Sequence, residues 1–540
     1  MYIDSYVVIG SGPSGVMAAS TLIEQGKKVI MLDAGITENK NTTIPADENF
    51  IYLRKNDFQQ HKYFIGEEFE GIPSDKIKVG AQLTPTRSYM IKDTDKLIPV
   101  VSDNFTPMES LSCGGLGIGW GLGCYVYSNN ELKLAGLDAD SMGKAYQVIS
   151  NRIRISGPDD DFCKLVLGNL YNIHPPLKYD NNISILIDKY KKNKNKFNSK
   201  GLYLGSPSLA MLSEDYANRY RTKYNDMDFY SDYGKSAWRP YITLEKLKKN
   251  SNFTYVGNIL VTTIENTDNN QVKINYINIV DKSTGEIICS KLLLACGALG
   301  SARIVLRSAK GKIKRLPILC NPYSYMPCFN IKMLGKPLSY DKTSMAQAML
   351  IYDTDGTETE IVSLAFYTYR SLMTFRMIEE VPLGIKDSIK LLKLLQSGFV
   401  IAGIHHPDFP SKNKYLELID FPDSITSDAL SAHYKLNSDE EKKIRKHEKT
   451  VKRYLRKLGC YPVKKLSPGA GGSIHYAGTL PFSQNEDEYG TTYPDGSLNG
   501  FKNIYIADGS GFKYLPAKGI TFSLMANAHN VALNSTKNEQ

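Results

Sequence analysis

Gly10-Ser11-Gly12-Pro13-Ser14-Gly15, with Asp33 downstream, is the part of this chain whose residue types and spacing imply chemistry most directly. Gly10 permits a tight turn, Gly12 lets backbone approach a pyrophosphate, and Gly15 lets a helix pack closely on a sheet. Pro13 and Ser14 suit the first helical turn, where the missing proline N–H costs nothing. Free amides and the positive end of the helix dipole would face phosphates, while Asp33 would accept ribose hydroxyls and repel a 2′-phosphate. Such residues must be held by a strand over 6–9, a helix from 13 to about 25, and a second strand over 28–32 that ends on Asp33. This βαβ unit binds a dinucleotide and leaves FAD and NAD both open.

A second glycine cluster runs from Ser112 to Gly123 and includes Gly114, Gly115, Trp120 and Gly121. So many glycines forfeit packing and raise the entropy lost on folding, which is tolerable where backbone must press against a flat ligand. Residues 291–303 read as a buried parallel strand followed by a glycine turn, with Ala295 and Gly297, into a helix. A β-rich stretch over 253–288 precedes them. Near the C-terminus, Ser473-Ile474-His475-Tyr476-Ala477-Gly478-Thr479 precedes a strand that ends on Asp508-Gly509, and residues 519–528, with Ile520 and Thr521, begin a closing helix.

At 540 residues, 42% hydrophobic and 23% charged, the chain can bury a large core and is expected to hold two domains. The glycine motif starts too near Met1 for a signal peptide, so a cytoplasmic protein is expected. The eight cysteines show no C-x-x-C pair and no metal-ligand spacing, which fits reduced thiols and no metal site. A net charge of +10 comes largely from 189–200 and 440–457; the second stretch has Ile444, Val451, Tyr454 and Leu458 at helical spacing. Neither carries the interleaved aromatics of a nucleic-acid reader, so no nucleic-acid partner is expected. An anionic substrate or a membrane surface is the better use of the excess. Residues 385–395 are amphipathic and basic, either a helix packed on the protein or one lying at a lipid interface.

Taken together, these blocks resemble the glucose–methanol–choline oxidoreductases, a family of FAD-dependent alcohol oxidases and dehydrogenases. The resemblance implies a discontinuous α/β Rossmann-type FAD domain (1–130, 245–310 and 465–540). It also implies an α+β substrate domain (131–244 and 311–464) with an antiparallel sheet over the flavin. It implies that Gly10, Gly12, Pro13, Ser14, Gly15 and Asp33 hold the ADP half, and that Gly114, Gly115, Trp120 and Gly121 lie along the flavin. Ala295, Gly297, Asp508, Gly509, Ile520 and Thr521 belong to the cofactor site by the same resemblance. In related pyranose oxidases a histidine just before the tryptophan bonds the flavin covalently; here Gly119 stands there, so noncovalent FAD is implied.

The H-x-x-G-T block makes His475 the expected base that takes the hydroxyl proton as hydride leaves for flavin N5. The family pattern departs at Gly519, where a second His or Asn is expected; neighbouring Lys518 could supply a donor or stabilise an alkoxide. His405 and His406 end a strand-like run in the substrate domain, and one of them is expected to face the pocket. The resulting expectation is oxidation of an alcohol CH–OH, on a sugar or polyol given 35 tyrosines, with an unassigned electron acceptor. Two alternatives stand beside it: redox-neutral isomerisation of an activated sugar, motivated by Gly519, and a non-catalytic protein stabilised by FAD.

Overall fold

The computed structural model describes residues 2–37, 48–67, 85–368, 382–485 and 488–537. The opening strand Tyr2–Ile9 lies between parallel Val29–Leu32 and Thr284–Leu294, and Phe253–Val256 extends the sheet beyond Val29–Leu32. The helix Pro13–Glu24 takes proline at its first position and buries Val16, Met17, Ala18 and Leu22 completely. It is enclosed between this sheet and the closing helix Thr521–Lys537, which explains why residues 13–23 carry no charge.

The strand Thr284–Leu294 has two halves. Its first half alternates in exposure and pairs antiparallel with Val272–Asn278, which pairs in turn with Ile259–Asn266. Its second half is covered on both faces and pairs parallel with the opening strand and with Ile504–Ile506. The expected buried strand over 291–294 is therefore the end of a longer one, and the β-rich stretch before it is split between a parallel strand and this hairpin.

A second sheet has six antiparallel strands in the order Cys460–Pro462, Tyr323–Asn330, Phe399–His405, Ile361–Thr368, Ala348–Asp353, Leu202–Gly205. One face is covered by the helix Ser438–Lys457, which buries Val451, Tyr454 and Leu455 against Met326, Leu364 and Ala402. Its lysines and arginines lie on the solvated side, as the spacing implied. The other face turns toward the segment 515–519: Ser363 Oγ donates to the Ala517 carbonyl.

A third sheet of four strands joins Val100–Val101, Asp428–Tyr434, Lys414–Asp420 and Leu316–Pro317. Lys414 at its edge is fully buried, with its ammonium 2.6 Å from Asp408 and 2.6 Å from Glu440. Asp408 also accepts from the Cys320 amide at 2.8 Å and exchanges backbone hydrogen bonds with Leu515. This buried charge therefore ties the loop after His405 to the segment entering the closing helix.

Among the described residues no helix is long and apolar enough to cross a membrane.

Lys414→Met would leave the Asp408 carboxylate buried without its counter-charge. The expected loss is about 3–5 kcal/mol of stability, measured by thermal or denaturant unfolding; an unchanged midpoint would show that the triad carries no such role.

Candidate active site

The glycine turn is shaped by close approach. Gly10 has φ +97°, and a Cβ there would stand 2.7 Å from the Ala295 carbonyl oxygen; a Cβ at Gly15 would collide with the Gly10 carbonyl. Gly12 is different: its φ is ordinary, and among the described residues a Cβ would meet nothing nearer than the Gly114 carbonyl at 4.0 Å. Neither backbone conformation nor the protein's own packing asks for glycine at Gly12, so the space above it suits an external group. Gly115 packs against Gly12, with its Cβ position 3.5 Å from the Gly12 Cα, and the Gly114 amide donates to Ser11 Oγ at 2.8 Å. Pro13 and Ser14 form the first turn beside them.

Asp33 closes this end of the site. Its buried carboxylate accepts from the Ser11 and Tyr255 hydroxyls, the latter at 2.9 Å. Burial pushes its pKa up to about 6 against the pull of those hydrogen bonds. Next to it, Thr37, Cys113 and Ile118 border a cavity of about 350 Å³ that also contains Arg87 and Arg239. Both guanidiniums are buried, and Arg87 Nη1 and Arg239 Nε and Nη2 have no hydrogen-bond partner among the described residues. Unmatched buried donors of this kind call for an anion. The open space at Gly12 and these unpaired donors, which share their cavity with Asp232, fit a dinucleotide such as FAD.

Around the remaining expected residues, Ala295 and Gly297 form the turn into the helix Gly297–Ser308; Gly297 has φ +76° and open space at its Cβ position. Asp508 is satisfied from within the protein, accepting from Ser301 Oγ at 2.6 Å and from Ser510 N at 2.9 Å and Oγ at 2.6 Å. It organises the turn at Gly509. The Trp120 indole donates to the Trp238 carbonyl at 3.2 Å, and Arg239 donates to the Trp120 carbonyl at 2.7 Å. Gly121 lies 3.9 Å, at its Cβ position, from the Tyr367 hydroxyl. Ile520 is buried, and Thr521 is the first residue of the closing helix.

His475 precedes the short strand Tyr476–Ala477 and lies beside the end of the six-stranded sheet. Its Nδ1 is 3.0 Å from Asn321 Oδ1. The Asn321 amide nitrogen faces three carbonyls, those of His406 at 2.8 Å, Pro516 at 3.0 Å and Leu515 at 3.3 Å. Only the NH2 end of the amide can face carbonyl oxygens, so Oδ1 is the end presented to the histidine. Nδ1 must then carry the proton, which leaves a free lone pair on Nε2. Burial pushes the His475 pKa down to about 4, so the ring is neutral at ordinary pH.

His405 stacks on His475 with ring centroids 5.0 Å apart, and Tyr323 covers His405 at 4.5 Å. Burial and the neighbouring histidines keep His405 uncharged as well. His406 goes the other way: it lies on the covered face of the sheet, with Nε2 3.8 Å from Glu448 of the helix Ser438–Lys457. Lys518 is also occupied elsewhere. Its buried ammonium is 2.9 Å from Glu131 and 3.2 Å from the Val126 carbonyl, and no hydrogen bond links it to His475. Gly519 has an ordinary φ, and its Cβ position is 3.5 Å from the Gly123 carbonyl and 3.6 Å from Tyr125. Asn321, Tyr125, Tyr323 and Tyr367 escaped the sequence reading; only the period-two alternation of Tyr323 and Tyr325 hinted that they share a face.

Two alanine substitutions separate cradle from scaffold. Gly15→Ala should cost about 1–3 kcal/mol of stability by overpacking, whereas Gly12→Ala should fold with a native unfolding midpoint and lose dinucleotide retention. Equal loss of stability in both variants would contradict this assignment.

No protein-family model matches the chain, and no curated protein matches it. Among solved structures, the crystal structure of pyridoxine 4-oxidase from Mesorbium loti matches with TM-score 0.57 over 98% of this chain and 98% of that chain, at 13% identity. The chain has the fold of that oxidase.

Proposed function

We propose that this chain binds FAD noncovalently and oxidises the CH–OH group of an alcohol, with His475 as the base. The observation that carries the reading is the His475–Asn321 pair: a neutral imidazole whose free Nε2 is fixed by a side chain that cannot reverse. The fold shared with pyridoxine 4-oxidase, an oxidase by name, supports it, as does the fit of Gly12, Asp33 and the unpaired nitrogens of Arg87 and Arg239 to a dinucleotide. Gly119 offers no side chain for covalent attachment.

FAD, when bound, supplies the two-electron acceptor for the hydride that leaves the alcohol carbon. His475 Nε2 takes the hydroxyl proton as that hydride departs, so the products are a carbonyl compound and an imidazolium held by Asn321. The first-turn amides of the closing helix present a positive dipole end, suited to negative charge gathered there during reaction. His405 stacks on the His475 ring and supports it. We assign the substrate to the sugars and polyols, whose hydroxyls suit Tyr323 against His405 and the neighbouring Tyr367 and Tyr125.

Gly519 favours a second reading, a redox-neutral reaction on an activated sugar, because no second donor side chain stands at that position. The two readings separate under anaerobic mixing: an alcohol oxidant bleaches with substrate alone, whereas the isomerase requires prior reduction and emerges reduced.

His475→Ala should retain yellow flavin yet be reduced about a hundredfold more slowly or worse, by stopped-flow absorbance. In the unsubstituted protein the reduction rate should be level across neutral pH. It should fall as acid protonates the imidazole near its lowered pKa of about 4. A substituted protein reduced at the original rate would remove His475 from the chemistry.

A further inference from the structure

We propose that the helix Ile385–Leu395 docks this protein on an anionic membrane surface. The substrate of the site would then be an amphiphile whose hydroxylated head reaches His475 while its apolar part lies along the six-stranded sheet. The substrate half rests on the function proposed above; the docking half does not.

The helix turns Ser388 and Leu392 inward and leaves Ile385 71% and Ile389 39% exposed on one flank. These two residues are one helical turn apart, and Lys386, Lys390 and Lys393 follow around the same side. Its single acid, Asp387, lies 3.4 Å from Lys390. At its C-terminal end the turn 331–336 is fastened by the Gly335 amide to the Leu394 carbonyl at 2.8 Å. That turn adds Ile331, 55% exposed, with Lys332 and Lys336. Exposed isoleucines flanked by lysines with long apolar stems match a surface whose headgroups are negative and whose interior is hydrocarbon. The chain's net charge of +10 has the same sign as this patch.

Continuity with the site carries the substrate half. Tyr323, Tyr325, Pro327 and Phe329 alternate with buried residues and share the face that carries His405. Opposite them in register stand His405, Gly403, Ile401 and Phe399, so polar character near His475 gives way to apolar residues. Six residues of strand cover about 20 Å, and the far end, Phe329–Phe399, adjoins the turn at Ile331 and the end of the docking helix. A bilayer held there would lie at the apolar end of a track leading to the base.

The test is co-sedimentation of the purified full chain with phosphatidylcholine vesicles, with and without phosphatidylglycerol. Binding that needs phosphatidylglycerol, weakens with salt, and drops at least tenfold in Ile385→Ser/Ile389→Ser supports the proposal; unchanged flavin content and unfolding midpoint confirm that the variant is folded. Failure to sediment, equal binding to neutral vesicles, or indifference to the double substitution overturns it. A dimer that the double variant splits, seen by light scattering, assigns the surface to a second copy and overturns it too. Sedimentation by a colourless protein would sink the flavin reading and leave the docking surface standing. For the track, an alkyl glycoside below its micellar concentration should bleach the flavin at a KM at least tenfold lower than the free sugar. No difference between the two would overturn the assignment to amphiphiles.

Discussion

The architecture of the site depends on one side-chain amide. Asn321 collects the carbonyls of His406, Leu515 and Pro516, which belong to the end of the antiparallel sheet and to the segment entering the closing helix. A buried amide in this position is satisfied only while all of those pieces are in place, and leaving its donors unmet would cost about 1–3 kcal/mol. The remaining oxygen is therefore held fixed, and the tautomer of His475 follows from the assembly of the fold around it.

The segment 515–521 is a seam between the six-stranded sheet and the glycine cluster. On one side Ser363 holds it to the six-stranded sheet and Asp408 to the loop after His405; on the other, Gly519 lies against Gly123, the end of the glycine cluster, and Tyr125. Two buried ion pairs flank the seam, Lys414 with Asp408 and Lys518 with Glu131. Buried charges of this kind contribute little net stability, but they penalise every arrangement in which the partners separate. Here that penalty falls on displacement of the strip that carries the base's support and the start of the closing helix.

What the sequence revealed was local. Gly10, Gly12 and Gly15 act through their own backbone and nearest neighbours, so their spacing alone announces the turn, and Asp33 follows because a strand of known length must end there. The helix Pro13–Glu24 was legible from its proline, Ser438–Lys457 from the helical spacing of its apolar residues, and only the start of Thr521–Lys537 was expected. Asn321 was invisible because nothing near it in the chain explains it; its partners come from residues 406, 475 and 515–516. Lys518 misled for the same reason. Adjacent to Gly519, it reads as a donor for the site, but Glu131, far away in sequence, claims its ammonium. His405 and His406 could not be separated without the strand register, which sends successive side chains to opposite faces.

The central claim is that the Asn321 oxygen fixes a proton on His475 Nδ1 and leaves Nε2 open. Nitrogen-15 NMR of histidine-labelled protein, with the His475 signal identified by its loss in His475→Gln, reads this directly. The account predicts a neutral ring protonated at Nδ1 with no titration between about pH 5 and 8, given its pKa near 4. A ring protonated at Nε2, or one that gains charge within that interval, would contradict it.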